Sequence, residues 1–378
     1  MMSQNFMTQL PIDWYFNEKI FQLEKSLLFD NGPGYVGHQI MVPNAGNYHS
    51  LEWFDNHSKL LVNAGNNDFY LMSNVCRHRQ AIMLKGDGKF DKNKNNEPLV
   101  CPIHRWTYNG LNGDLVAAPH FPQNPCLNLN KSKLQNWNGL LFNAKKDIAK
   151  DLQNLKPEYA KHFNFDDFKL DRTELHHCNY SWKTFIEIYL EDYHVAPFHP
   201  GLGNFVTCDD LTWQFEENYS IQRVGIQSLL NPGSKIYEKW HKVVREYYQD
   251  KNNGDEPPNG AVWMTYYPNL MLEWYPHVLV ISFVVPIDLK TCMNVVEFYY
   301  PKDIVDFDRE FIEAEQAAYM ETAIEDDEIG ERMDFGRWAL YQQGQNEVGP
   351  YQSPMEDGME HFHEYYRRNL ETEIKKII

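Results

Sequence analysis

Two short Cys/His pairs constrain this chain more than any other feature. Cys76-Arg77-His78 and Cys101-Pro102-Ile103-His104 read C-x-H, then 22 intervening residues, then C-x-x-H. Each pair follows a candidate strand and precedes a turn, so two β-hairpin tips can offer four ligands to one site. Two thiolates and two imidazoles suit zinc or an iron–sulfur cluster. The spacing is unlike a zinc finger, which pairs Cys with Cys and His with His.

One Cys and one His at each tip fits a Rieske 2Fe–2S centre, where two Cys hold one iron and two His the other. Neutral imidazole ligands reduce the cluster's negative charge and raise its potential to roughly −150 to +300 mV. The run CPIHRWTYNGLNGDL resembles the second cluster loop of Rieske oxygenases. That resemblance implies Cys76, His78, Cys101 and His104 as ligands. The spacer is longer than is usual in that family. Its excess, Lys89 to Pro98 (KFDKNKNNEP), reads as a surface loop.

A second constellation lies in residues 181–199, SWKTFIEIYLEDYHVAPFH. Glu187, Glu191 and His194 are spaced i, i+4, i+7, which puts them on one face of a helix. His199 lies off that face, and Pro197 is expected to break the helix so that both imidazoles swing onto one ion. Two His and one carboxylate with open positions form the facial triad of non-haem Fe(II) oxygenases. Alone, H-x₄-H is weak and more often marks two ordinary histidines.

The segment also resembles the catalytic helix of the Rieske oxygenase α-subunit, which implies His194 and His199 as ligands of a mononuclear Fe(II). The resemblance makes Glu191 the acidic bridge between the two metal centres. Most members carry Asp there, and Glu is a feature of the choline- and carnitine-type branch. Ser181 and Ile188 depart from the family's Asn residues. The carboxylate ligand is sought in Glu325-Asp326-Asp327-Glu328, ahead of Gly336-Arg337, by likeness to choline-monooxygenase-like members. Counting ten residues back from Gly336 selects Asp326, with Asp327 as competitor. Residues 266–286 and 353–366 resemble the catalytic domain's central sheet segment and C-terminal helix.

The resemblance implies an α+β fold. A small all-β Rieske domain (35–149) precedes a catalytic domain (150–378) with a central antiparallel sheet flanked by helices, of helix-grip type. A helical segment (1–34) is expected to pack with the catalytic domain. Locally, the pattern predicts a helix over 14–29. Strands are predicted at 60–62, 69–72, 99–100 and 140–142, a helix over 181–196, and strands at 261–275, 277–287 and 293–300. Residues 246–260 read as a polar loop and 303–340 as a long acidic helix or helix pair. Ser353, Pro354 and Glu356 form a capping-box start for a last helix.

Composition narrows the partners. With 35 Lys plus Arg against 53 Asp plus Glu, the net charge is −18, which disfavours nucleic acid and anionic membrane surfaces. No stretch reads as transmembrane or as a secretory signal, so a cytoplasmic protein is expected. Six cysteines in 378 residues are no disulfide framework. Cys126, Cys178, Cys208 and Cys292 read as core or surface residues.

The family resemblance implies a terminal oxygenase that acts on a small organic substrate with O₂. Within one chain of the family the two metal centres lie too far apart for useful transfer. A homotrimer or a multiple of it is therefore implied, with His104 of a neighbouring subunit on Glu191. No reductase motif is present, so a separate flavin-dependent reductase using NADH or NADPH is implied, with or without a ferredoxin. Ten Trp, 23 Tyr and 22 Phe fit a cation cage, an aromatic pocket or simply the core. Mono-oxygenation or oxidative demethylation of a small amine or ether leads. Arene cis-dihydroxylation is second. A Rieske electron carrier and a zinc-stabilised binding protein are the readings from other classes.

Overall fold

The computed structural model describes residues 8–90, 98–251 and 257–377. The chain forms two compact units. One is Asn31–Gln153, and the other joins the residues up to Asp30 with those from Asn154 onward.

The Asn31–Gln153 unit is all-β. Its five-stranded sheet runs Asp87–Lys89, Asn47–Leu51, Lys59–Gly65, Asp68–Ser73, Lys131–Lys133. The central hairpin turns at Asn66 and Asn67, both at positive φ (53° and 62°), as a two-residue type I′ turn requires. A three-stranded sheet joins Pro98–Val100, Thr107–Asn109 and Leu115–Ala117. Another joins Tyr35–His38, Leu140–Phe142 and Gln135–Trp137. Leu60, Val62, Met72, Leu99, Trp106 and Tyr108 form the core, and Cys76 and Cys101 are packed into it. Most of the polar stretch expected as a surface loop (residues 91–97) lies outside the described residues.

The larger unit is built on a seven-stranded sheet, antiparallel throughout. The order is Phe168–Cys178, Cys292–Pro301, Val278–Pro286, Leu270–Tyr275, Ala261–Tyr266, Tyr219–Ile226, Val206–Glu216. Strand residues 278–284 are buried without interruption, which explains their continuous apolar run. On one face Trp263, Val280, Val296 and Phe298 meet Trp240, Val244, Phe311 and Ala318 from two helices. A second core gathers Met271, Val284 and Cys292 with Tyr15, Phe21, Trp182, Phe362 and Tyr366. The α+β organisation expected from the sequence is the one observed.

Buried Glu24 joins the N-terminal helix to this unit. Its carboxylate accepts from Lys183 Nζ at 2.5 Å and Trp182 Nε1 at 2.9 Å, and from the Tyr366 hydroxyl. Both members of the Glu24–Lys183 pair are almost wholly buried.

Three local expectations need correction. The 181–196 helix stops at Tyr189, and a short helix, Val195–Phe198, follows. The break therefore precedes Pro197, which sits in the first turn of the second helix, where no backbone N–H is needed. Residues 246–251 are not loop, because the helix Lys235–Lys251 contains them; 252–256 lie outside the described residues. The last helix begins at Asp357, not at 353–356. Ser353 Oγ contacts the Asp357 carboxylate at 3.2 Å instead of capping a backbone N–H.

The expected long acidic helix is a pair, Lys302–Phe307 and Arg309–Gln342. Asp308 separates them and caps the second, accepting from Phe311 N at 3.1 Å.

Candidate metal centres and pocket

The two Cys/His loops share one backbone pattern. In the first, Gln80 N donates to Cys76 O at 3.0 Å and Cys76 N to Ala81 O at 2.9 Å. In the second, Arg105 N donates to Cys101 O at 3.2 Å and Cys101 N to Trp106 O at 2.8 Å. Gln80 and Arg105, the fifth residue of each loop, both sit at positive φ, 53° and 59°. Each loop thus buries its Cys and carries its His outward. Cys76 and Cys101 are buried, His78 is half-buried and His104 is exposed.

The His78 and His104 rings meet at 4.6 Å between centroids, and His78 stacks on Trp106 at 5.0 Å. His78 Nδ1 is buried without a hydrogen-bond partner, as a ring nitrogen reserved for a metal would be. Tyr108 places its hydroxyl 3.5 Å from Cys76 Sγ. Burial raises the Cys101 pKa, while the backbone N–H groups of Ile103 and His104 oppose it and favour the thiolate. Among the described residues, no three of these four side chains bring ligand atoms within 4.8 Å of one another. One zinc ion would require that convergence; a two-iron cluster would not.

In the larger unit, His194, His199 and Asp326 bring one ligand atom each within 4.8 Å of one another. His194 N-caps the short helix after the break, and His199 ends it. Asp326 projects from the Arg309–Gln342 helix. The Glu191 carboxylate accepts from His194 Nδ1 and, at 3.1 Å, from the His194 backbone N–H. Glu325 accepts from His199 Nδ1 at 2.7 Å. Carboxylates on both Nδ1 atoms leave both Nε2 atoms as lone-pair donors to a metal. Those Nε2 atoms face each other at 3.0 Å. Asp326 Oδ1 lies 3.0 Å from His199 Nε2 and 3.5 Å from His194 Nε2, buried and with no hydrogen-bond donor.

Three acceptors converging in this way call for a cation. A proton is the alternative to a metal. Burial lowers the His194 pKa, but the Asp326 and Glu191 carboxylates outweigh it and carry it up to about 10. The donor set is that of a non-haem Fe(II) facial triad.

Asp327, the competitor, turns elsewhere. It accepts from His176 Nε2 at 2.9 Å and from the Tyr180 hydroxyl at 3.1 Å. The Asp327 carboxylate drives the His176 pKa up to about 10, and the pair ties the long helix to the sheet beside Asp326. Glu187 is also not where the helical-face reading put it. It is buried against Arg337 Nη2 at 2.7 Å and His363 Nε2 at 2.9 Å, because the helix ends before Glu191 and His194 can continue its face.

Beside the triad lies a cavity of about 110 Å³. Glu191, Asp192, Glu273 and Glu315 line it together with Trp240, Trp263 and several tyrosines, and no Lys or Arg does so among the described residues. Sequence reasoning missed Glu273, Glu315 and Glu325. Only Glu325 had a signal, its place next to Asp326.

This pairing of sites on two units defines a class. A Rieske [2Fe-2S] domain model matches residues 34–136, and a model of the ring hydroxylating alpha subunit (catalytic domain) matches 165–372. The chain belongs to the Rieske oxygenases as an α, terminal oxygenase, subunit. It is 57% identical over 365 residues to the putrescine 2-hydroxylase of Ralstonia nicotianae, covering 96% of each chain. It is 53% identical to the putrescine 2-hydroxylase of Bordetella bronchiseptica (97% of this chain, 86% of that one). The choline monooxygenase of Beta vulgaris is 25% identical (96% and 77%). In fold it is similar to the quaternary ammonium Rieske monooxygenase CntA, with TM-score 0.76 at 18% identity over 97% and 96% of the chains.

Proposed function

We propose that this oxygenase hydroxylates a small aliphatic diamine, with putrescine as its substrate and carbon 2 as the site of attack. The observation that carries this reading is the 57% identity to a putrescine 2-hydroxylase along 96% of both chains. The acid-lined cavity without Lys or Arg agrees with it. Arene cis-dihydroxylation is disfavoured, because a neutral ring would leave the buried carboxylates without a counter-charge.

Cys76, His78, Cys101 and His104 would hold one 2Fe–2S cluster, and His194, His199 and Asp326 one Fe(II). The Fe(II), when bound, supplies O₂ activation. One oxygen atom replaces a C–H bond with C–OH, and the other leaves as water with two protons. Two electrons come from NADH or NADPH through a separate flavin reductase, with or without a ferredoxin, in the cytoplasm. Glu191 orients His194 and serves as the bridge to His104 of the partner subunit in a homotrimer or a multiple of it.

The test is turnover of putrescine with a surrogate reductase, NADH and O₂, read by mass spectrometry. The expected product carries one added oxygen on carbon 2. Oxidation of choline, carnitine or an arene, with putrescine untouched, would overturn the reading.

A further inference from the structure

Glu273 and Glu315 line the cavity yet are only 1% and 4% exposed. Their hydrogen-bond partners are tyrosines. Tyr275 donates to Glu273 Oε2 at 2.8 Å, and Tyr319 to Oε1 at 3.1 Å. Tyr300 donates to Glu315. Burial raises both carboxyls, Glu273 to about 7 and Glu315 to about 8. A carboxylate held this deep without a counter-cation is costly unless its ligand brings one.

Two further polar groups of the cavity wall stand beside Glu273. Trp263 is more than nine-tenths buried and pairs directly across the strands with Glu273. Its indole Nε1–H has no hydrogen-bond partner, and the buried Tyr189 hydroxyl is directed at the Glu273 carboxyl. The Tyr189 oxygen can accept from an ammonium, and the aromatic faces around it suit a cation.

The long helix sets the distance. Glu315, Tyr319 and Asp326 all line the same cavity, at i, i+4 and i+11, which is one stripe of a helix. Tyr319, which marks the position of Glu273, is seven residues from Asp326, about 10 Å along the axis. From carbon 2 of putrescine to its far nitrogen there are three bonds of about 1.5 Å, about 4 Å end to end. With a non-bonded approach of about 3–3.5 Å at the triad and a hydrogen bond of about 2.9 Å at the carboxylate, carbon 2 can lie at the triad while the far nitrogen reaches Glu273.

We propose that Glu273, held by Tyr275 and Tyr319 and backed by Glu315, binds the distal ammonium of an α,ω-diamine and so selects diamines over monoamines and sets their length. The assignment rests on the amine-hydroxylase reading above and names the residue that makes the second amine matter.

Calorimetric titration of iron-loaded protein with putrescine, cadaverine and 1-aminobutane tests it without any reductase. Wild-type protein is expected to favour putrescine over 1-aminobutane on the order of 30-fold, the scale of a charged hydrogen bond. E273Q should bring the two within about threefold by weakening putrescine alone. E273D, whose carboxylate is drawn back by one carbon, should move the preference towards cadaverine.

Wild-type protein that binds no diamine would overturn both the reading and the anchor. Wild-type protein that favours putrescine, with E273Q keeping that preference, would overturn the anchor alone. If E273Q binds neither amine, E273D decides. A recovered diamine preference supports the anchor, and loss of both ligands there overturns it.

Discussion

His194 and His199 face each other through their Nε2 atoms at 3.0 Å, while their Nδ1 atoms are engaged by Glu191 and Glu325. The two imidazoles are thus poised for one ion, and Asp326 completes the set. Replacing Asp326 with Ala should lower iron from about three to about two per chain and leave about two acid-labile sulfides. Metal and sulfide analysis of purified protein checks this. Equal loss of sulfide would show general unfolding instead.

Glu191 contacts His194 but is not in the triad. E191Q should retain both metals and lose about 10–100-fold or more of the rate at which the reduced cluster is reoxidised during turnover. Stopped-flow absorbance of the cluster separates that effect from iron loss. A variant that reoxidises its cluster at the wild-type rate would exclude Glu191 as the bridge.

Tyr108 lies within reach of Cys76 Sγ at 3.5 Å. Hydrogen bonds to cluster sulfurs raise the potential, so Y108F should lower it by some tens of millivolts without loss of iron. Redox titration followed by electron paramagnetic resonance measures the change.

Lys183 and Glu24 are buried together. E24A would leave the ammonium buried with no counter-charge, a loss of about 3–5 kcal/mol. Chemical denaturation should register it as a lower midpoint. E24A paired with K183M should recover part of the loss, because both charges are then gone.

The pH dependence of stability follows from Glu187. Burial raises its pKa, but Arg337 and His363 outweigh burial and hold it down at about 2. A depressed carboxyl stabilises the fold above its unfolded value of about 4.5, and that stabilisation is lost as pH falls towards 2. The stability gap between wild-type protein and E187Q should be constant above pH 5 and shrink between about 4.5 and 2. Thermal melts across that range read the gap directly.

The candidate ligand sets were legible as groups because coordination chemistry favours certain residue types at certain spacings, and the structure brings His194, His199 and Asp326 together. Cys76, His78, Cys101 and His104 stand within a few residues of turns, and Asp326 was singled out by likeness to choline-monooxygenase-like members, ten residues before Gly336. What stayed hidden depended on where elements end. Glu187 shares helical spacing with Glu191 and His194, yet the helix closes at Tyr189. The helix Lys235–Lys251 also stayed hidden, its last residues reading as polar loop. Its buried stripe of Tyr237, Trp240, Val244 and Tyr248 was available, as was Ser234, whose Oγ accepts from Tyr237 N at 3.1 Å. Glu273 and Glu315 left no trace in the sequence. A buried carboxylate looks like any solvated one until the sheet and helix close around it.

The repeated hydrogen-bond pattern of the two Cys/His loops has a consequence for how such a chain can change. Each loop closes on itself through its own backbone, from Cys76 to Ala81 and from Cys101 to Trp106, before the chain departs. The stretch that joins them supplies an edge strand, Asp87–Lys89, and the strand Pro98–Val100 that leads into the second loop. A change in length between Phe90 and Pro98 would leave both strands and both loops as they are.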